Sequence, residues 1–377
     1  MDIVVDSSDL TTALTWVRAA VPSHPRMPVL AGVVISAQDG GAQFVGFDYE
    51  TSRRARVPAR TNTLGDAILV PCADLARVSA GFGTGKPVSI SSTAAGRVTV
   101  ACGSMTGTVP LLPVEDYPVV PSIPAAVGRI DAGDLAAVIT HVQYAAARDA
   151  AVPCLAGIEL HTDTDTLRVC ATDRYRAASS ATTWDNDRGL PRILVPRKPL
   201  VAAAKHLART GTVHIGIDDS CAPSMLSIAG PGYQATIRLI DDHLPNVAVA
   251  IPSGFAGDVG VNRKDLLGIV KRLAKLSERR LPIHLSTYDS TMTVATHAGQ
   301  DVTATQQLPC RSGRATSVAL DPAYLEQALA AATTADVVFR YAVPHMTYQP
   351  DVTTRSKLGL ILDSGTFRAV LMPMRVD

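Results

Sequence analysis

Apolar residues along this chain follow two rhythms, and each rhythm predicts a different element. A spacing of three and four, which gives a helix one buried face, runs through about 8–20, 72–80, 132–147, 197–208, 262–277 and 322–332. The clearest stripe is Leu266, Ile269, Val270 and Leu273. Strict alternation, which suits a half-buried strand, fills segments between them: 32–36 with 42–45, 158–161 with 166–171, and 87–91, 98–102 and 106–111. Polar turns, Asp39-Gly40 and Asp163 through Asp165, separate neighbouring strands as hairpins require. The pattern predicts an α+β architecture with helices packed on one face of antiparallel sheets.

The order of elements recurs. Pro28, Pro153 and Pro282 each precede an apolar strand-like run and lie 125 and 129 residues apart. Pro71, Pro196 and Pro322, 125 and 126 apart, open helix-like runs, near a first turn where a missing N–H costs nothing. Asp9-Leu10, Asp134-Leu135 and Asp265-Leu266 stand at helix starts, where the helix dipole favours negative charge. Three markers sharing one period predict three repeated domains, at 1–122, 127–250 and 257–377. The boundaries fall in stretches rich in Pro, Gly and small residues, 121–128 and 251–258. A chain of 377 residues is also too long for one ordinary core.

Composition narrows compartment and partners. No apolar run reaches the roughly 20 residues of a membrane span, and MDIVVDSSDL lacks the basic start and apolar stretch of a signal peptide. A cytoplasmic protein without membrane contact is expected. Cys72, Cys102, Cys154, Cys170, Cys221 and Cys310 form no CxxC pair, which predicts reduced, mostly buried thiols. Net charge is +1, so contact with nucleic acid needs a local basic surface.

Such surfaces occur at helical spacing. Lys264, Lys271 and Lys275 share one face opposite the apolar stripe. Lys198, Lys205 and Arg209 share another, with Arg197 beside it. His141 and Arg148 lie seven apart, and Arg18, Arg26 and Arg77 add basic positions in the first third. An ordinary solvated helix accounts for any one of these faces. Their recurrence predicts a surface for phosphates, with His141 and His206 also placed to touch them. Without stacking aromatics or a base-reading motif, binding of double-stranded DNA would be indifferent to sequence.

Catalytic motifs do not emerge. GFGTGK at 81–86 has one residue too few between its glycines for a phosphate loop, and Pro87 stands where Ser or Thr would hold magnesium. A turn between helix and strand is expected there. The nine histidines lack HExxH or Cys/His ligand spacing. Asp163, Asp165 and Asp173 lack calcium-loop spacing, and no G-x-S-x-G elbow is present. Neither catalytic residues nor a metal or cofactor is expected.

Six short segments carry a family resemblance. MPVL at 27–30, GFDYE at 46–50, EDYP at 115–118, ATDRYR at 171–176, VPRK at 195–198 and VLMPMR at 370–375 resemble, in order and spacing, landmarks of the bacterial DNA sliding clamps. The resemblance covers the whole chain. It implies a head-to-tail homodimer closed into a ring, helices lining a central hole, sheets outside, and work as the processivity factor of replicative DNA polymerase III. The basic helical faces would then meet duplex phosphates. It further implies a pocket between the second and third domains, where replicative and repair polymerases and the clamp loader dock short linear peptides. Matching positions are Leu155, Thr172, Arg174, Tyr175, Arg176, Ala177, Pro245, Val249 and Ala250, then Met346, Val370, Leu371, Met372, Pro373, Met374 and Arg375. Flexible Met side chains suit a site with many clients.

The sequence also departs from the family's usual pattern. Arg174 stands where Gly is common, Tyr175 where His is common, Ala177 where a larger apolar residue is usual, and Val249 where many relatives carry Arg. An aromatic often found near Arg280 or Leu281 is absent, and an apolar dimer-interface position falls at Gly107. Two alternatives stay open on these grounds. One is a duplicated clamp whose altered pocket confers resistance to a clamp-targeting inhibitor; the other is a triplicated interaction scaffold with no DNA in its ring.

Overall fold

The computed structural model describes residues 1–61, 64–93, 96–148, 151–186, 188–220, 222–246, 255, 257–276, 281–297, 303–312, 316–341 and 360–374. Within them are helices α1 (Ser7–Val17), α2 (Cys72–Ser79), α3 (Ala132–Val142), α4 (Arg197–Leu207), α5 (Arg263–Leu276) and α6 (Pro322–Ala331). One order occurs three times: a strand, a helix, four strands, a second helix and three strands. The middle repeat adds the two-residue strand Asp185–Asn186.

Each leading strand ends on the residue that starts its helix. The Asp6 carboxylate accepts from the Ser8 N–H at 2.7 Å, and Asp131 accepts from the Gly133 N–H at 2.8 Å. Asn262 accepts from the N–H groups of Lys264 and Asp265 at 3.1 and 3.2 Å. These caps satisfy orphan donors of the first turn, and they sit three residues ahead of the sequence markers Asp9, Asp134 and Asp265. Asp321 caps α6 in the same way, with Pro322 in the first turn. The prolines at 28 and 153 differ from expectation. Each opens a 3₁₀ turn, Pro28–Ala31 and Pro153–Ala156, before its strand begins, because the ring's fixed φ suits a helical first turn.

Every described strand pair is antiparallel, and the chain divides into two compact units. The first comprises Met1–Gly133, Asp185–Arg188 and Lys198–Leu239, and carries a 13-stranded sheet. The second comprises Asp134–Trp184, Gly189–Arg197 and Ile240–Asp377, and carries a 12-stranded sheet. The middle repeat therefore gives strands to both sheets.

One pairing rule appears in each unit. In the first, strand Tyr233–Arg238, which closes the middle repeat, lies on Thr51–Thr61 of the first repeat, with Tyr233 opposite Ala55 and Ile237 opposite Thr51. In the second, Phe367–Leu371, which closes the last repeat, lies on Arg176–Thr183 of the middle one, with Phe367 opposite Ser180. The closing strand of the first repeat, Met105–Pro110, pairs on one side only among the described strands. So does segment 304–307 of the corresponding strand of the last repeat, Thr303–Ser312.

The helices bury their apolar stripes against these sheets. In α1, Leu10, Ala13, Trp16 and Val17 are fully buried, and in α5 the buried set is Leu266, Ile269, Val270 and Leu273. That is the stripe read from the sequence. The glycine-rich loop at 81–86 joins α2 to strand Pro87–Thr93, tied to the start of α1 by the Ser7 hydroxyl, which donates to the Gly83 carbonyl at 2.8 Å.

Candidate functional site

Basic side chains concentrate on two helices. On α5, Arg263, Lys264, Lys271, Arg272 and Lys275 stand against a single acid, Asp265, and Lys264, Lys271 and Lys275 are exposed on the side away from the buried stripe. Lys271 lies 4.0 Å from Glu326 of α6. On α4, Lys198 and Lys205 are exposed, Arg197 is half-buried at the first position, and Arg209 is exposed just beyond the end. The other predicted cations flank helices: Arg18 is exposed after α1, Arg26 in the loop beyond it, and Arg148 beyond α3. Arg77 on α2 is exposed and paired with Asp74 at 3.0 Å, so part of its charge is spent locally.

The two histidines assigned to phosphates are half-buried. His141 is half-buried, with Nδ1 3.2 Å from the Ser180 hydroxyl and its ring edge-on to Phe367. His206 packs against Trp16 and Tyr233, with ring centroids 4.7 and 5.0 Å away. Burial pulls both below the ordinary histidine value, and for His206 the nearby Arg53 adds to the effect. Both rings are thus engaged by partners within the protein, Ser180 and Phe367 for His141, Trp16 and Tyr233 for His206. Arg53, unremarked in the sequence, adds to the second case. It is buried with its guanidinium 4.3 Å from the centre of the Trp16 ring and a donor 3.2 Å from the Pro199 carbonyl. Burial lowers its pKa to about 10.

The predicted pocket residues gather in the second unit. On strand Arg176–Thr183, Ser180 faces α3 and meets His141, so alternation turns Ala177 and Ser179 to the opposite face. Ala177 stands across from Val370, and the two pack with Ile361. Above them is a cavity of about 190 Å³ lined by Thr172, Arg174, Arg176, Ala177, Pro245, Asn246, Val370 and Met372. This is below the roughly 300–1,000 Å³ of small-molecule sites, and suits an anchoring side chain better than a whole ligand.

A tight turn builds its wall. The Asp173 carboxylate accepts from the N–H groups of Tyr175 and Arg176, both at 3.0 Å. The Thr172 hydroxyl donates to the Arg176 carbonyl at 2.7 Å and accepts from the Arg174 N–H at 3.1 Å. The Met372 N–H donates to the Tyr175 carbonyl at 3.0 Å. Arg176 is structural in this setting. Its guanidinium is buried 2.9 Å from Asp173, donates to Gln327 at 2.6 Å, and lies over the rings of Tyr324 and Tyr144.

Several expected residues do not line the cavity. Leu155 is buried in a cluster with Cys154, Leu194 and Leu244. Leu371 is buried opposite Arg176, Tyr175 is 62% exposed, and Pro373 and Met374 are half-buried, the Met374 N–H donating to the Ala319 carbonyl at 2.8 Å. Val249, Ala250, Met346 and Arg375 lie outside the described residues. Asn246 and Gln327 were missed, since a lone amide carries no sequence signal until its neighbours are known.

Comparison with known proteins identifies the family and the fold. Residues 1–121 match the DNA polymerase III beta subunit N-terminal domain, and residues 129–246 match its central domain. The beta sliding clamp of Streptomyces coelicolor is 32% identical over 335 residues, 88% of each chain. The chain belongs to the DNA polymerase III beta subunit family, the sliding clamps. A beta sliding clamp homolog, GriR, of Streptomyces muensis is 28% identical over 86% of this chain and 87% of its own. In fold, the chain matches the crystal structure of a Pseudomonas aeruginosa sliding clamp bound to griselimycin, with a TM-score of 0.89 at 22% identity and full coverage of both chains.

Clamp-family membership gives the departure at 174 a physical meaning. Arg174 has φ +79°, a left-handed conformation in which Gly is unstrained. An L side chain there costs on the order of 1–2 kcal/mol. The hydrogen bonds of the Asp173 turn hold it in place, and the long side chain lines the cavity. Ala177, a small side chain packed with Val370 and Ile361, lines the neighbouring wall.

Proposed function

We propose that this chain is a non-catalytic DNA sliding clamp, acting in the cytoplasm, in which two copies close head to tail around duplex DNA. The observation that carries this reading is the pairing rule between repeats. The closing strand of the middle repeat lies on the first, and that of the last lies on the middle. The same rule matches the remaining closing strand, Met105–Pro110, to segment 304–307 of a second copy. Aligned on the two observed junctions, Met105 falls opposite Gln306, Thr106 opposite Thr305 and Gly107 opposite Ala304. A head-to-tail contact of this kind closes only with whole copies, and two copies supply two identical junctions.

The lysines of α4 and α5 then face phosphates without reading bases. Holding is topological: a closed collar need not bind tightly to stay on DNA, which a net charge of +1 permits. The cavity at Ala177, Val370 and Met372 receives the apolar anchor of short peptides from polymerases and the clamp loader. The three repeats at 1–122, 127–250 and 257–377 act as its domains.

The test is retention on DNA. The protein is loaded onto a nicked circular plasmid with a clamp loader and passed through a sizing column. It is expected to travel with the circle and to be lost when the circle is cut once. Equal retention on circular and linear DNA would exclude encirclement.

A further inference from the structure

We propose that a cleft beside the pocket receives an acidic flank of the same docked peptide, so that clients are selected by charge next to their apolar anchor. This rests on the pocket reading above. The cleft, about 810 Å³, lies within the second unit and is lined by three arginines, Arg168, Arg340 and Arg368. Arg340 and Arg368 converge on one carboxylate, Asp363, at 2.8 and 2.6 Å. Each uses one nitrogen there, and a guanidinium has five N–H donors. The other carboxylate of the lining, Asp336, is paired at 3.1 Å with Arg311, which is outside it. Arg168 reaches Asp163, also outside the lining, only loosely at 3.7 Å. The lining thus holds three guanidiniums against two carboxylates, Asp336 and Asp363, of which only Asp363 pairs with arginines of the lining, and the three arginine side chains stay 45%, 38% and 43% exposed.

The cleft and the pocket are consecutive stations on one strand pair. Ala177 and Val370, directly opposite each other, line the pocket; Ser179 and Arg368, also directly opposite, line the cleft. These positions are two residues apart on one face, or about 7 Å at roughly 3.4 Å per residue. An extended peptide anchored at Ala177 and Val370 therefore reaches the arginines within two or three residues. Its occupant there is defined by charge: planar guanidinium forks can bind carboxylates at two points, and Arg340 and Arg368 already hold one carboxylate of this chain, Asp363, between them by one nitrogen each.

Three fluorescein-labelled peptides test the inference. All share a leucine–phenylalanine anchor; one carries four glutamates before it, one four after it, and one serines on both sides. One acidic peptide is expected to bind about tenfold tighter than the serine peptide, the factor that a few exposed ion pairs supply together. The gap should shrink in high salt. Arg168→Ser with Arg368→Ser should erase it without changing affinity for the serine peptide, and Arg168→Glu alone, at an exposed position, should reduce it if the double variant folds poorly. Equal binding of all three peptides, or a gap that survives Arg168→Glu, overturns the inference and leaves the pocket standing. Failure of all three to bind overturns the pocket reading, and this inference with it.

Discussion

His141 and His206 occupy helical positions that look available for phosphate, yet their rings are used inside the protein, one on Ser180 and Phe367, the other on Trp16 and Tyr233. Both have pKa values depressed by burial, so the folded state binds fewer protons than the unfolded chain below the unfolded value of roughly 6.5. Their contribution to stability is complete above that pH and is lost as pH falls through the lower folded values. The urea midpoint of the native protein is therefore expected to drop between about pH 7.5 and about pH 5.5. A variant with His141→Gln and His206→Phe should drop distinctly less; an equal drop would show that neither ring matters. Which histidines turn inward could not be read from the sequence, because a spacing of three and four fixes a helix face but not what packs on it. Arg53 shows the same limit. A strand arginine between polar neighbours reads as exposed, and only the placement of Trp16 makes it a buried cation.

At the level of elements, the sequence was far more informative. Local periodicity located the six helices of the described residues, overshooting only the third, which ends at Val142, by as much as five residues, because each needs only its own apolar stripe and a cap. The two 3₁₀ turns after Met27 and Val152 escaped it, being too short to show a period. Strand partners escaped it too, since Thr51–Thr61 and Tyr233–Arg238 meet across nearly half the chain and nothing local encodes that meeting. Of the residues that line the cavity, all but Asn246 stood among the positions matched to the family landmarks. The cleft of arginines beside it was not legible, because its lining comes from several separate strands. The basic face of α5 is an element-level property and can be tested as one. Replacing Lys264, Lys271 and Lys275 with Ala leaves the buried stripe intact and substitutes a strong helix former, so circular dichroism should be unchanged. On a short duplex, the slope of log affinity against log salt should fall by about 0.9 for each phosphate contact removed. An unchanged slope would take α5 away from the DNA.

For the whole molecule, the decisive question is how the two half-paired strands are satisfied. The register proposed for the junction puts Thr106 opposite Thr305, both exposed. A protein carrying Thr106→Cys and Thr305→Cys should oxidise to a covalent dimer with both junctions locked, which stays on circular DNA after denaturation of everything else. Cross-linking within a single chain, or none, would reject the register. Next to that pair Gly107 falls opposite Ala304, so little apolar surface joins the copies there. Filling the gap at Gly107 is obstructed, because an added Cβ would come within 2.6 Å of Val78. A lone copy exposes one donor edge and one acceptor edge, and every addition consumes one of each while presenting another. That bookkeeping never terminates of its own accord: it permits a necklace of any number of beads, or an endless fibre, as readily as a pair. What stops the growth at a particular count is the turn taken at each junction, so a change that merely alters this angle would convert a closed object into a polymer while leaving every bond in the chain as it was.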